Sequence, residues 1–242
     1  MIHTFLKNLL PAVILICSFS SSLVLKENAK YNFNDGEYST KRFSREKVYV
    51  LHVDEDTIAV LPIQEFKDST AIITSKRVNY TSMQRRFKDK KLQHNFYKPS
   101  FDFDVMTIPL KYRPATGNIP NQLVTNFNGA LFGGYRIDEY KLKYRRTPLN
   151  IYKQTSKHFG YSGGLFVGLG SALINPWVIT DPHFDLEYEG VTLISGIAAN
   201  MAMDKISFGI AFGFDHLLDK NAGDWIYQGK PSIGFTLGLD LY

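Results

Sequence analysis

The last third of the chain alternates large apolar residues with small ones. Over Ile206–Leu217, Ile206, Phe208, Ile210, Phe212 and Phe214 share one phase, and Ser207, Gly209, Ala211, Gly213 and Asp215 share the other. Over 232–241, Ile233, Phe235, Leu237, Leu239 and Leu241 alternate with Ser232, Gly234, Thr236, Gly238 and Asp240. The same texture runs through 161–173, where Leu165, Val167, Leu169 and Leu173 oppose Gly164, Gly168, Gly170 and Ala172. It recurs over 191–203, where Val191, Leu193, Ile197, Met201 and Met203 oppose Thr192, Gly196, Ala198, Asn200 and Ala202. A period of two sends successive side chains to opposite faces and predicts β-strands.

The second face decides which solvent each side meets. A water-soluble sandwich would carry Lys, Glu and Thr on its outer face, whereas this one is small and nearly uncharged. A transmembrane barrel accounts for it directly: large apolar side chains face lipid, and small or weakly polar ones line a tight interior. Closure also leaves no exposed sheet edge, as a membrane requires.

Seven strand candidates follow from this pattern: 101–112, 123–136, 139–145, 159–174, 189–203, 206–217 and 230–242. Single-chain barrels of this kind normally close with an even number, so about eight strands are expected. Asp204-Lys205 and Ile137-Asp138 have the length of tight turns, and 175–188 and 219–229 are longer loops. Trp177, Trp225, Tyr227 and Tyr188 lie near strand ends, where either an interfacial girdle or loop packing would place them. Further upstream, 48–53 and 57–63 are β-rich runs joined by the acidic triplet Asp54-Glu55-Asp56, and 71–74 is a third short strand. The expected fold is all-β, an antiparallel up-and-down β-barrel of about eight strands preceded by a small β-subdomain.

The N-terminus adds a compartment. One lysine in 1–8, an apolar run over 9–16 and a small-residue cluster over 17–22 follow the order of a secretory signal. The expected organisation is a signal peptide over 1–22, a linker over 23–47, a basic β-subdomain over 48–98 and a transmembrane barrel over 99–242. Cys17 is the single cysteine, so neither a disulfide framework nor a paired-cysteine zinc site is expected. No stretch beyond the N-terminus approaches the roughly 20 apolar residues of a membrane helix.

Charge separates the two parts. Residues 1–150 hold 23 Lys and Arg against 14 Asp and Glu, and residues 151–242 hold 5 against 9. Thirteen of the 18 glycines also follow residue 150. The basic charges are scattered through hydrophobic strands, and no nucleic-acid partner is expected. The acidic triplet lacks the spaced oxygens of a calcium loop, and the sequon at Asn79 reads as chance in an exported chain of this kind.

Candidate chemistry is sparse. His158, His183, His216, Asp181, Asp185, Asp215, Ser162 and Ser171 are the nucleophile and base types in the barrel region. Asp215 and His216 fall on opposite faces of one strand, and Asp181, His183 and Asp185 share a loop. Asp215, Asp240 and Asn200 are expected to form a lumenal polar network. No catalytic, cofactor-binding or metal-ligating residue is assigned, and no cofactor is expected.

Four blocks, TIPLKYRP at 107–114, FNGA at 127–130, FGIAFGFDHLL at 208–218 and DWIYQGKP at 224–231, resemble the small outer-membrane β-barrel proteins of Bacteroidetes, usually of unassigned function. The resemblance spans about 140 residues from Phe101 onward, and no catalytic signature comes with it. It implies an integral outer-membrane protein, exported and monomeric, with a structural, adhesion or binding role rather than catalysis. The expected partners are outer-membrane lipid and a protein or glycan reached through loops or the N-terminal subdomain. The alternatives are an exported, soluble, lipocalin-like barrel carrying an apolar ligand and a barrel-type membrane enzyme.

Overall fold

A computed structural model describes residues 32–42, 46–54, 57–65, 70–81, 93–117, 119–148, 152–203 and 206–239. The expected signal peptide lies outside these residues. The strands are β1 (Gly36–Ser39), β2 (Lys47–Asp54), β3 (Thr57–Glu65), β4 (Thr70–Ile72), β5 (Val78–Thr81), β6 (Gln93–Arg113), β7 (Gln122–Val124), β8 (Asn128–Arg146), β9 (Tyr152–Ile174), β10 (Tyr188–Met203), β11 (Ile206–Leu217) and β12 (Pro231–Leu239). All pairings are antiparallel.

The strands β6, β8, β9, β10, β11 and β12 follow one another in the sheet, and β12 pairs back onto β6. Among the described residues the ring therefore closes with six strands, fewer than the eight expected. One of the two missing strands is explained by β8, which runs unbroken through Ile137 and Asp138 where a turn was expected, so that two of the seven candidates are one strand. The eighth, expected only from even closure, has no counterpart in the ring among the described residues. Asp138 is buried against Arg136 and His158. An aspartate paired across strands looks, in sequence, like an aspartate in a turn. The short β7 pairs β6 at the far end of β8's lane, with residues 125–127 interrupting that lane. Met203 lies opposite Ile206, and the tight turn expected at Asp204-Lys205 falls outside the described residues.

Three strands outrun the ring. β6, β8 and β9 hold 21, 19 and 23 residues. Their projecting ends continue into a sheet with β1, β2 and β3. Tyr38, Val48, Val50, Ile58, Val60, Phe96, Tyr140 and Leu142 form the core there. Burial pushes the Tyr38 phenol up to about 12, so it stays protonated and donates to the Asn34 carbonyl at 2.8 Å. Phe33 stacks on Phe96 and Tyr140, with ring centroids 5.1 and 5.4 Å away. Phe33 and β1 thus pack into this core from the stretch expected to be a linker. β6 also crosses the expected boundary at 98–99 without a break.

A six-stranded ring curves tightly, and the small-residue phase follows from that. A Cβ on Gly168 would strike the Gly129 carbonyl and Ala130, and one on Gly164 would strike Gly133 and Gly134 across the strand pair. Gly163, one residue away in the other phase, has open space around it. Gly168→Ala is expected to destabilise the barrel by about 1–3 kcal/mol through overpacking against backbone that cannot yield. Gly163→Ala is expected to be near neutral, and chemical denaturation of the two variants side by side checks the contrast.

Candidate functional site

The two faces of the ring carry opposite chemistry. Outward positions are apolar and exposed: Phe101, Phe103 and Val105 on β6, Leu131 and Tyr135 on β8, Leu165, Val167 and Leu169 on β9, with the same pattern on β10 to β12. Among the described residues, no charged side chain interrupts this outer phase over 101–112, 127–137, 161–173, 191–203, 206–214 or 231–237. Inward positions hold Asp102, Lys111, Arg113, Arg136, Asp138, His158 and Asp215, each no more than 4% exposed.

These inward charges form two layers. Toward the long loops, Lys111 Nζ donates to Asp215 Oδ1 and Asn128 Oδ1, both at 2.9 Å. Arg113 donates to Asp215 Oδ2 through Nη2 at 2.8 Å and Nε at 3.3 Å. Lys111 and Arg113 share a face because they are two residues apart on β6. The Arg113 guanidinium sits 5.3 Å from the Trp225 ring and 5.1 Å from the Tyr227 ring, which close this end with Val178, Ile179 and Leu217. Trp225 Nε1, Tyr227 Oη and Thr192 Oγ1 are buried without a hydrogen-bond partner.

Toward the subdomain, Arg136 Nε donates to Asp138 Oδ1 at 2.7 Å, and Nη1 reaches Asp102 Oδ1 at 3.4 Å. His158 Nε2 lies 2.7 Å from the same Asp138 oxygen, and Ser100 Oγ donates to Asp138 Oδ2 at 3.3 Å. His158 Nδ1 has no partner. The guanidinium lies over Gly160, where a Cβ would come within 2.5 Å of Arg136 Nη2. Between the two layers sits an apolar plug of Met106, Ile108, Ala130, Phe132, Phe166, Ile194, Ala198 and Ala211.

Beside the loop-side charged layer the free volume is small. The space bounded by Lys111, Asp215, Ile108 and Phe166 is about 10 Å³, and a single water needs about that much. A larger cavity of about 410 Å³ lies at the loop end, lined by Arg113, Gln122, Leu123, Asn126, Asn175 and Val178 among others.

The sequence-derived candidates separate on this frame. Asp215 is lumenal and half-buried His216 lies in the opposite phase. Asn200 accepts from Thr236 Oγ1 at 2.8 Å, in a contact separate from Asp215, and Asp240 lies outside the described residues. The single lumenal network expected is therefore corrected: Asp215 binds cations on β6, and Asn200 binds a hydroxyl on β12. His183 is 93% exposed at its side chain and 3.5 Å from Asp181, a solvated loop pair. Among the described residues, no group of acidic, histidine or cysteine side chains has the arrangement of a metal site. Ser162 lies in the inward phase of β9, in register with Arg136 and Asn200, Ser171 lies in its outward phase, and Ser100 contacts the aspartate rather than the histidine. A nucleophile activated by its base needs the reverse order. Trp225 and Tyr227 are buried in the loop cap, while Trp177 is 79% exposed.

Sequence reasoning did not single out Lys111, Arg113, Arg136, Asp138 or Asp102 as interacting groups. The available signal was charge in the small-residue phase of a strand, which a lumen tolerates only when paired. Comparison with protein-family models, curated proteins and solved structures finds no match to the chain.

Proposed function

We propose that this chain is an integral β-barrel protein of a bacterial outer membrane, acting as a scaffold or binding protein through its loops and its subdomain rather than as a pore. One observation carries the reading: an uncharged apolar belt surrounds a ring whose interior holds the charges. Water-soluble barrels have the opposite polarity, because burying apolar side chains is what stabilises them. The belt's height agrees with lipid. From Tyr161 to Leu173, a rise of about 3.3 Å per residue at a tilt of about 40° spans about 30 Å, the thickness of a bilayer's hydrocarbon core.

The soluble, lipocalin-like alternative needs a lumen lined by apolar side chains with room for a ligand. The plugged and charged interior favours the membrane reading over it. The outer-membrane assignment also draws on the N-terminal pattern and on the family resemblance.

Gel mobility tests the proposal. Full-length protein from a purified outer-membrane fraction, run unheated in detergent, should migrate differently from the same sample after boiling. Recovery in the soluble periplasmic fraction with no heat-dependent shift would overturn the membrane reading.

A further inference from the structure

Just past the apolar belt, on the subdomain side, the outer face of β6, β8 and β9 becomes polar and basic. Glu139 is buried there, although it belongs to the outward phase of β8. Its Oε1 accepts from Asn95 Nδ2 at 3.2 Å and from Tyr97 Oη at 3.1 Å. Its Oε2 lies 3.3 Å from Arg42 Nη2 and 3.5 Å from Lys141 Nζ. One carboxylate therefore serves two cations, and its oxygens are saturated.

The cations above it remain accessible. The Arg42 side chain is 47% exposed and that of Lys141 is 26% exposed. The Arg42 guanidinium lies 5.2 Å from the Tyr161 ring and 5.8 Å from the Tyr97 ring, and Lys141 Nζ lies 4.6 Å from the Phe159 ring. Lys157 is exposed and stands directly opposite Lys141 in the β8–β9 register, with no partner among the described residues. Like charges facing each other across a strand pair repel unless an anion sits between them.

We infer that Arg42, Lys141 and Lys157 form a cradle for the phosphate headgroup of an anionic phospholipid in the leaflet on the subdomain side. This inference rests on the membrane reading above. Position supports it: Tyr161 ends the belt on β9, and Lys157 lies four residues beyond, about 10 Å along the membrane normal at the rise and tilt of such strands. That depth is the headgroup layer. Tyr161, Tyr135 and Phe101 border the cradle on the belt side, where the acyl chains of the same lipid would lie. Lysine stems long enough to reach back toward the phosphates complete the fit.

Native mass spectrometry of the full-length, detergent-folded barrel tests the site, with phosphatidylglycerol and phosphatidylcholine supplied in equal amounts. Wild type should retain phosphatidylglycerol in preference, and Lys141→Gln/Lys157→Gln should lose about tenfold of that preference, since basic groups near an anionic surface each contribute appreciably. Both lysines are exposed to a degree that lets the variant fold, and the unheated-gel shift confirms that it has. Equal retention of the two lipids by wild type, or an undiminished preference in the variant, would overturn the cradle. A missing gel shift in wild type would instead overturn the membrane reading, so the two failures are distinguishable.

Discussion

Asp215→Ala is expected to destabilise the folded barrel by about 3–5 kcal/mol, the usual result of removing one partner from a buried ion group. Lys111 and Arg113 both lean on this carboxylate, at 2.9 and 2.8 Å, and all three side chains are 3 to 5% exposed. Without it, Lys111 and Arg113 are left as buried cations with no carboxylate between them, and the space of about 10 Å³ beside Lys111 has room for about one water. Asn128 still accepts from Lys111, but a neutral amide does not balance the charge. The loss comes from stranded charge rather than from a missing attraction, so a second variant separates the two. Lys111→Met/Arg113→Met/Asp215→Leu should recover much of the stability, because an apolar group of similar volume removes the desolvation cost along with the pair. Guanidinium unfolding in detergent, read by the midpoint of each variant, checks both. A triple variant as unstable as Asp215→Ala would show that packing, not charge, dominates this layer.

Ile210→Arg is expected to cost about 2–4 kcal/mol when the protein is folded into lipid vesicles, as charged substitutions do at the middle of a barrel's lipid face. Ile210 is 63% exposed at the centre of β11, between Ala199 on one neighbour and Phe235 on the other. The size of the effect discriminates between solvents. On a water-facing surface the same exchange would stay within about 0.5 kcal/mol, since it would remove exposed apolar area and bury nothing. Arginine near the ends of the belt, for example Met203→Arg, should cost about 0–1 kcal/mol, because its guanidinium reaches the interface. A depth profile of this kind is specific to a bilayer. A flat profile near zero would mean that the outer face meets water or another protein, and the function proposed here would fall with it.

The heat-dependent mobility, the glycine contrast and the lipid preference probe different layers of the same arrangement. Mobility reads closure of the ring, Gly168→Ala reads its curvature, and Lys141→Gln/Lys157→Gln reads the basic border proposed to meet lipid headgroups. The loop end holds an open cavity beside Arg113 and Val178, and Trp225 and Tyr227 pack against Val178 in the same cap.

Local order was legible in the sequence because a strand writes its period into the chain. β11 occupies Ile206–Leu217, the same bounds that the alternation of Ile206 to Phe214 implies, and β10 differs from its expected span by one residue at the start. The small phase was visible as Gly164, Gly168 and Gly196, and so was the split between a basic and a glycine-rich part. What the chain could not state alone was which segments are neighbours. Asp215 finds Lys111 across 104 positions, and Arg42 finds Glu139 across 97. Neither separation leaves a local pattern, because charge pairing depends on distance in space and not along the chain. The same limit hid Asp138, whose partner His158 arrives from β9, and so turned one strand into two. Strand identity, face and polarity were thus sequence properties. The count of six, the charged layers inside and the basic border outside were decided by closure, which alone brings distant residues together and fixes how small the interior must be.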